Sequence, residues 1–484
     1  MSIANALNNA ISGLTAASRG TEVVSTNLAN ALTPGYARRE LELSPRLLSA
    51  NGGGVQVTRV TRIISESLLA DLRLANASLA QSSTSFGFFK QIEAAIGQPL
   101  KGNSLSSYLA GLETTLISAG SRPDSDLRLE AVLDAAHQVS GKINDISASI
   151  QNARISADRE IYLQVQEINS DPSQIAKLNR QIIVAEANGR DSASLADTRR
   201  AVIDRVSGKL PIQTIQRDNR QVAIYSKGGM VLLDGKEPTK LEFKAKEATA
   251  PKPEHPVPLA RTVWLNGTPA SPSDFSHLSG GSLSELFMIR DHHTVAAQNT
   301  LDNFATGLHD VFAAQSADPT IRPGGSGLFS DRRGNYSPND HSGLAGNLRV
   351  NPLIDPGQGG DLWRIRNGVG AVSPGDVGDG TILQSLGRML SGSQTETQNQ
   401  HVQAPNLMEF AASLFSEIST ARVTLEEKQA HDQSVNSSLQ AALLTDGVDS
   451  DREMEMLLQL EKSYAANAKV IQIIDKMLDQ ILRV

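Results

Sequence analysis

Several short stretches carry residue types that do chemistry elsewhere. Asp291-His292-His293 gathers metal-ligating side chains. It lies in a helical pattern, where adjacent residues point apart and ligand pairs need i,i+3 or i,i+4 spacing. It reads as solvated surface. Gly324-Gly325-Ser326-Gly327 resembles part of a phosphate-cradling loop, but no Lys-Ser/Thr follows and its surroundings are Pro-rich, so it reads as a turn. Ser140-Gly141-Lys142 sits mid-helix without the glycine four residues earlier that a P-loop needs. There is no Gly-x-Ser-x-Gly nucleophile elbow. The acidic run from Asp446 to Glu455 lacks EF-hand spacing and reads as a helix cap. Arg38-Arg39 could meet an acidic neighbour or be solvated, and the solvated reading is favoured. No cysteine occurs, which removes disulfides, thiolate catalysis and Cys-ligated metal together. The expectation is no catalytic, cofactor or metal site, and no enzyme.

The elements that hold these stretches are more informative. Ile3, Leu7, Ala10, Leu14, Ala17, Thr21, Val24 and Leu28 step 4-3-4-3-4-3-4, a heptad seam. Gly13 and Gly20 fall inside it and weaken the helix. Thr33, Pro34, Gly35 and Tyr36 then form a hard stop. Pro34 pushes Thr33 out of the α region, and Gly35 is free to take positive φ. At the other end, Leu457, Leu460, Tyr464, Asn467, Ile471, Ile474, Leu478 and Ile481 step 3-4-3-4-3-4-3. Asn467 is the lone polar residue in that second seam, where such a residue specifies register. The two seams are expected to pair across the whole chain.

Between them, "RELELSPRLLSANGGGVQVTRVTR" reads as short extended segments around a flexible Gly52-Gly53-Gly54 loop. A helix is expected from about Ile63 to Ile96, and another restarting near Leu105. Val132, Ala136, Val139, Ile143, Ile146, Ile150, Ala153 and Ala157 step 4-3-4-3-4-3-4. Ile161, Val165 and Ile168 carry that pattern towards a break at "SDPSQ". From Pro211, β-branched alternation with turns at Asp218-Asn219 and Gly228-Gly229 reads as a hairpin or meander. "KEATAPKPEHPVP" reads as an exposed loop. Helix returns from about Ser282 to Ala314, a Gly/Pro/Asp-rich stretch holds short strands such as "LRVNPLI", and a long helix spans roughly Pro405 to Leu444.

The expected fold class is mainly α: long coiled-coil-like helices from both chain ends plus a helical bundle, with an inserted mixed α/β domain, the whole elongated. The expected domains are nested: 1–45 with 445–484 as paired terminal helices, 46–210 with 400–444 as the bundle, and 211–399 as the strand-rich insert. Composition agrees with a globular chain, with 39% hydrophobic and 20% charged residues. Aromatics are 4%, so helices must pack through Ala, Leu, Ile and Val. A net charge of -7 leaves no broad basic field for nucleic acid or an anionic membrane. The opening "MSIANALNNAISGLTAAS" lacks the basic and continuous apolar regions of a cleaved secretory signal. No stretch reaches transmembrane length. Absence of cysteine suits export to an oxidising space.

Three blocks carry a resemblance. "ISGLTAASRGTEVVSTNLANALTPGYARRE" resembles the N-terminal signature of the flagellar axial proteins of rod and hook, and its "TPGYARR" form is nearest to the hook-associated members. "GGSLSELFMIRDHHTVAAQNTLDNFATGLHDVFAAQ" is similar to an internal block of those members, and "EMEMLLQLEKSYAANAKVIQIIDKMLDQIL" to their C-terminal helix. The chain departs at "TDGVDSDREME", where the family carries a Val-Asn-containing turn and Asp449 stands in place of Asn. The resemblance implies an extracellular structural subunit that joins hook to filament as a ring of many copies. It implies a homo-oligomer that meets the hook protein and the next junction protein. It also implies an export chaperone and the flagellar type III export apparatus, without a cleaved signal. Another axial component, or a secreted adhesin or enzyme on a helical stalk, remains the alternative.

Overall fold

The structure is a computed structural model, and it describes residues 3–33, 35–48, 51–99, 101–245, 261–265, 268–269, 277–334, 342–391, 406–445 and 447–482. Pro34 and the Pro-rich stretch 246–258 lie outside the described residues.

The spine is helix α4, Asp126–Ala187, 62 residues long and so about 90 Å from end to end. Every position of its expected stripe, from Val132 through Ile168, is buried. The expected break at "SDPSQ" is absent, and α4 runs through Pro172. An interior proline costs a helix about 3 kcal/mol. Ile168 and Ile175 are buried on either side of it, each contributing about 1.5–3 kcal/mol. Asp171, next to the proline, is paired with Arg205 at 2.8 Å. Tertiary packing therefore outweighs local propensity here.

Helix α1 is Ile3–Ala29 and is followed by hairpin strands β1, Arg39–Leu48, and β2, Asn51–Arg62. Helix α2, Glu66–Ile96, starts where the Ser65 side chain accepts from the Leu68 N–H. Helix α3, Leu105–Ser121, starts at a Ser104–Ser107 capping box, each serine satisfying a backbone donor of the other's turn. Helix α5, Ala193–Lys209, completes the first helical block.

A small antiparallel sheet follows in the order β3–β4–β5–β6: Ile212–Gln216, Val222–Ser226, Val231–Asp234 and Glu237–Pro238. The turn between its first two strands has Asn219 and Arg220 at φ 55° and 57°. Strands β7 Leu241–Ala245, β8 Arg261–Leu265 and β9 Thr268–Pro269 form a second sheet. Asn169 of α4 stitches on β7, donating to the Leu241 carbonyl at 2.6 Å and accepting from the Leu241 N–H at 2.8 Å.

Helix α6, Gly281–Met288, passes through a π turn at 289–293 into α7, Thr294–Ala313. Strands β10, Phe329–Asp331, and β11, Leu348–Val350, pair antiparallel. Helix α8 is Thr381–Leu390, α9 is Leu407–Thr445 and α10 is Ser450–Leu482. Edge-to-face pairs tie α7 to α9 through Phe304 and Phe410, and to β10 through Phe312 and Phe329.

The last two helices return along the first two. Helix α9 returns along α2, with Asn436 donating to Asn76 at 2.6 Å, Gln429 to Ser83 at 3.1 Å and Arg422 paired with Glu93 at 2.7 Å. Helix α10 returns along α1. One connected core of described residues runs from Phe88 through the sheet, α7 and α8 to Ile418. Position 46 falls inside β1.

Candidate assembly interface

The two chain ends form an antiparallel pair. Its register is readable from two glycines. A Cβ placed on Gly13 would lie 2.7 Å from the Asn467 amide nitrogen, and one on Gly20 would lie 2.8 Å from Leu460 Cδ2. One heptad further on, Asn27 donates to Glu453 at 3.0 Å. Each step advances seven residues on α1 and retreats seven on α10. The same step leads back to Ile474, which is buried, opposite Ala6.

The seam on α1 thus differs from the expected one. Ala10, Ala17 and Val24 are buried, and so are Ala16 and Val23 beside them. Ile3, Leu7, Leu14, Thr21 and Leu28 are only half-buried. The second row facing α10 is Gly13, Gly20 and Asn27, one position before Leu14, Thr21 and Leu28. The glycines are holes that receive side chains from α10, as knobs-into-holes packing requires, rather than simple weak points. Hydrophobic periodicity favours the larger aliphatics and passes over a row chosen for smallness.

On α10, Ile474 is buried, while Leu457, Leu460, Asn467 and Ile471 are half-buried. Tyr464, Leu478 and Ile481 are exposed, a correction to their expected place in a packed seam. The reason is geometric: among the described residues α10 packs chiefly on α1, whereas its apolar surface is wider than one helix can cover. Val470, Ile473, Met477 and Ile481, stepping 3-4-4 along one side, are all at least 40% exposed. The Asn467 amide donates to Ser463 of its own helix at 2.9 Å.

Helix α1 is covered on another side by the hairpin. The Gly54 region is no free loop. Gly54 has φ +91°, and a Cβ there would lie 2.0 Å from Ser12 Oγ. Ser12 Oγ accepts the Val55 N–H at 3.1 Å, so strand and helix touch at a spot only glycine fits.

A polar clasp closes the arrangement. Asn27 is fully buried. Its amide nitrogen donates to the Arg39 carbonyl at 2.8 Å and to Glu453. Its amide oxygen accepts from the Arg39 N–H at 2.9 Å and the Tyr36 hydroxyl at 2.8 Å. Arg38, 6% exposed, donates from Nε to the fully buried Glu453 at 2.7 Å. Arg39 reaches Ser194 at 3.0 Å and Asp197 at 3.3 Å on α5, and Arg62 donates to the same Asp197 at 2.9 Å. Burial pushes the Tyr36 phenol up, with the Arg39 guanidinium opposing it. The solvated reading of Arg38-Arg39 is therefore wrong: both are buried and paired. Arg38 and its carboxylate lie 415 residues apart, so no local reading could join them.

Of the turn motif, Thr33 and Gly35 are exposed and Tyr36 is half-buried in the clasp; Gly35 takes φ 78°. Asp449 accepts from the N–H groups of Asp451 and Arg452 at 3.0 and 3.3 Å, the N-cap geometry expected of that acidic run. His292 and Asp291 are exposed, but His293 lies against Phe88 and Phe89, with ring centroids at 6.0 and 5.3 Å. Among the described residues no group of three His, Asp or Glu is placed to hold a metal. The clasp holds no free nucleophile; its groups are consumed in joining chain ends to body. Sequence reasoning missed the packing role of Gly13, Gly20, Asn27 and Glu453, although Gly13, Gly20 and Asn27 step by seven, as do Glu453, Leu460 and Asn467.

The glycine holes make a test in which two principles oppose each other. Helix propensity favours an ordinary residue over glycine by up to about 1 kcal/mol. Overpacking a filled site costs about 1–3 kcal/mol. Gly20→Val is expected to loosen the terminal pair, read as faster amide exchange across residues 3–29. Slower exchange would place Gly20 outside the contact.

Comparison with known proteins finds similarity along the whole chain. The family described as "Flagellar hook-associated protein FlgK helical domain" matches residues 89–325. "Flagella basal body rod protein" matches 7–36, and "Flagellar basal body rod FlgEFG protein C-terminal" matches 439–484. Flagellar hook-associated protein 1 of Bacillus subtilis is 23% identical over 98% of this chain and 97% of its own length. The protein of that name from Salmonella typhimurium is 26% identical, over 64% of this chain and 56% of its own. A solved structure, the flagellar hook junction protein FlgK from Burkholderia pseudomallei, is similar at a TM-score of 0.45 and 21% identity, covering 54% of this chain and 46% of that one.

Proposed function

We propose that this chain, similar over nearly its whole length to a flagellar hook-associated protein 1, is a structural subunit of the bacterial flagellum joining the hook to the filament. The observation that carries the reading is the terminal pair. Two helices from opposite chain ends are locked in one register, and the apolar side of α10 is left uncovered. Monomers rarely expose a contiguous apolar stripe without a partner for it.

The subunits form a ring of many copies, with the hook protein on one side and the next junction protein on the other. Layer 1–45 with 445–484, extended through the hairpin to Arg62, is the assembling part. The bundle of 46–210 with 400–444 and the insert of 211–399 form the body that it carries. The chain leaves the cell through the flagellar type III apparatus with an export chaperone and resides outside it. Lack of cysteine supports that last step. Among the described residues no helix is long and apolar enough to cross a membrane. The role is structural rather than enzymatic.

Deleting the gene is expected to leave cells with hooks and no attached filaments, restored by the gene in trans. Normal filament number in the deletion strain would sink the reading.

A further inference from the structure

Far along the chain from the clasp, a cleft of about 440 Å³ opens beside the β10–β11 ribbon. That is the size of a small-ligand site. Ser330 and Arg349 are directly opposed in the ribbon, so their side chains share one face, with Cβ atoms about 4.5–5.5 Å apart. Both line the cleft. Ser330 is 8% exposed. Its Oγ and the Nε of Arg349 are buried atoms without a hydrogen-bond partner. A buried donor without an acceptor carries the full desolvation cost of its group, more so when charged.

The local acids do not answer this charge. Asp331, also in the wall, accepts from Arg333 Nε at 3.0 Å and pairs with its Nη2 at 2.8 Å. Arg364, which also lines the cleft, gives Nη1 to the carbonyls of Val369 and Ala371. Arg322 stands exposed at the rim. Arg322 and Arg349 have no carboxylate partner among the described residues, so the cleft is left positive.

We propose that this cleft binds an oxyanion, a carboxylate or phosphate group that accepts from Arg349 Nε and Ser330 Oγ, with Arg322 at the mouth. A guanidinium Nε beside a hydroxyl matches two oxygens of one such group. The site is separate from the terminal pair and does not depend on the junction reading.

Thermal unfolding of the full chain tests it, at constant pH and ionic strength, with chloride replaced stepwise by acetate or by inorganic phosphate. The expected result is a saturable rise in Tm over chloride. A rise with acetate alone assigns a carboxylate, with phosphate alone a phosphate, and with both a general oxyanion site. Arg349→Gln is expected to weaken the apparent affinity about tenfold and Ser330→Ala about threefold. No saturable rise in the wild type overturns the proposal, and that arm needs no variant to fold. Equal affinity in a folded Arg349→Gln protein overturns it as well.

Discussion

Glu453→Ala is expected to unfasten both chain ends from the body. The carboxylate is fully buried and holds Arg38 at 2.7 Å and Asn27 at 3.0 Å. Its removal leaves a buried guanidinium with only the half-exposed Glu40, 3.8 Å away, to meet it, against a cost of about 3–5 kcal/mol for a buried charge with no partner at all. The loss falls on the terminal layer and not on the core around α4, because the core cluster includes no residue of α1 or α10. Amide exchange should therefore accelerate across residues 3–29 and 450–482 while the stripe of α4 stays protected. Removing both charges together, Arg38→Met with Glu453→Leu, should recover most of the loss, since a buried pair replaced by apolar groups is often neutral. Unchanged exchange in Glu453→Ala would mean that the clasp does not hold the ends.

The second large effect is on assembly. Ile473→Asp with Met477→Asp should abolish filament attachment and leave the monomer intact. The two side chains are 44% and 48% exposed, so each substitution changes monomer stability by about 0.5 kcal/mol or less, about 1 kcal/mol for the pair. In a packed interface the same carboxylates would be buried without partners, at about 1–3 kcal/mol or more each. The paired measurements are circular dichroism of the purified protein and electron microscopy of hook ends. Attached filaments of normal number would show that this side of α10 faces solvent in the flagellum.

Much of the fold was legible in the residues. The eleven-position stripe of α4 identified a helix buried along one side, because large aliphatics at a 3.5–3.6 period leave few other arrangements. The hairpin turn at Asp218-Asn219 and the helix restart at Leu105 were legible for a similar reason: turn and cap chemistry is local. Pro172 was misleading because a local rule met a non-local gain.

The sequence by itself determined that both ends are heptad helices and that the body is helical with a strand-bearing middle. These properties follow from periodicity and residue type, which act within a few turns of chain. The tertiary structure decided which row of α1 faces α10, that Arg38 and Arg39 are buried, and which side of α10 stays open. Each of those depends on groups hundreds of residues apart. Gly13 is a hole only because Asn467 fills it, and Arg38 can leave water only because Glu453 is there to meet it.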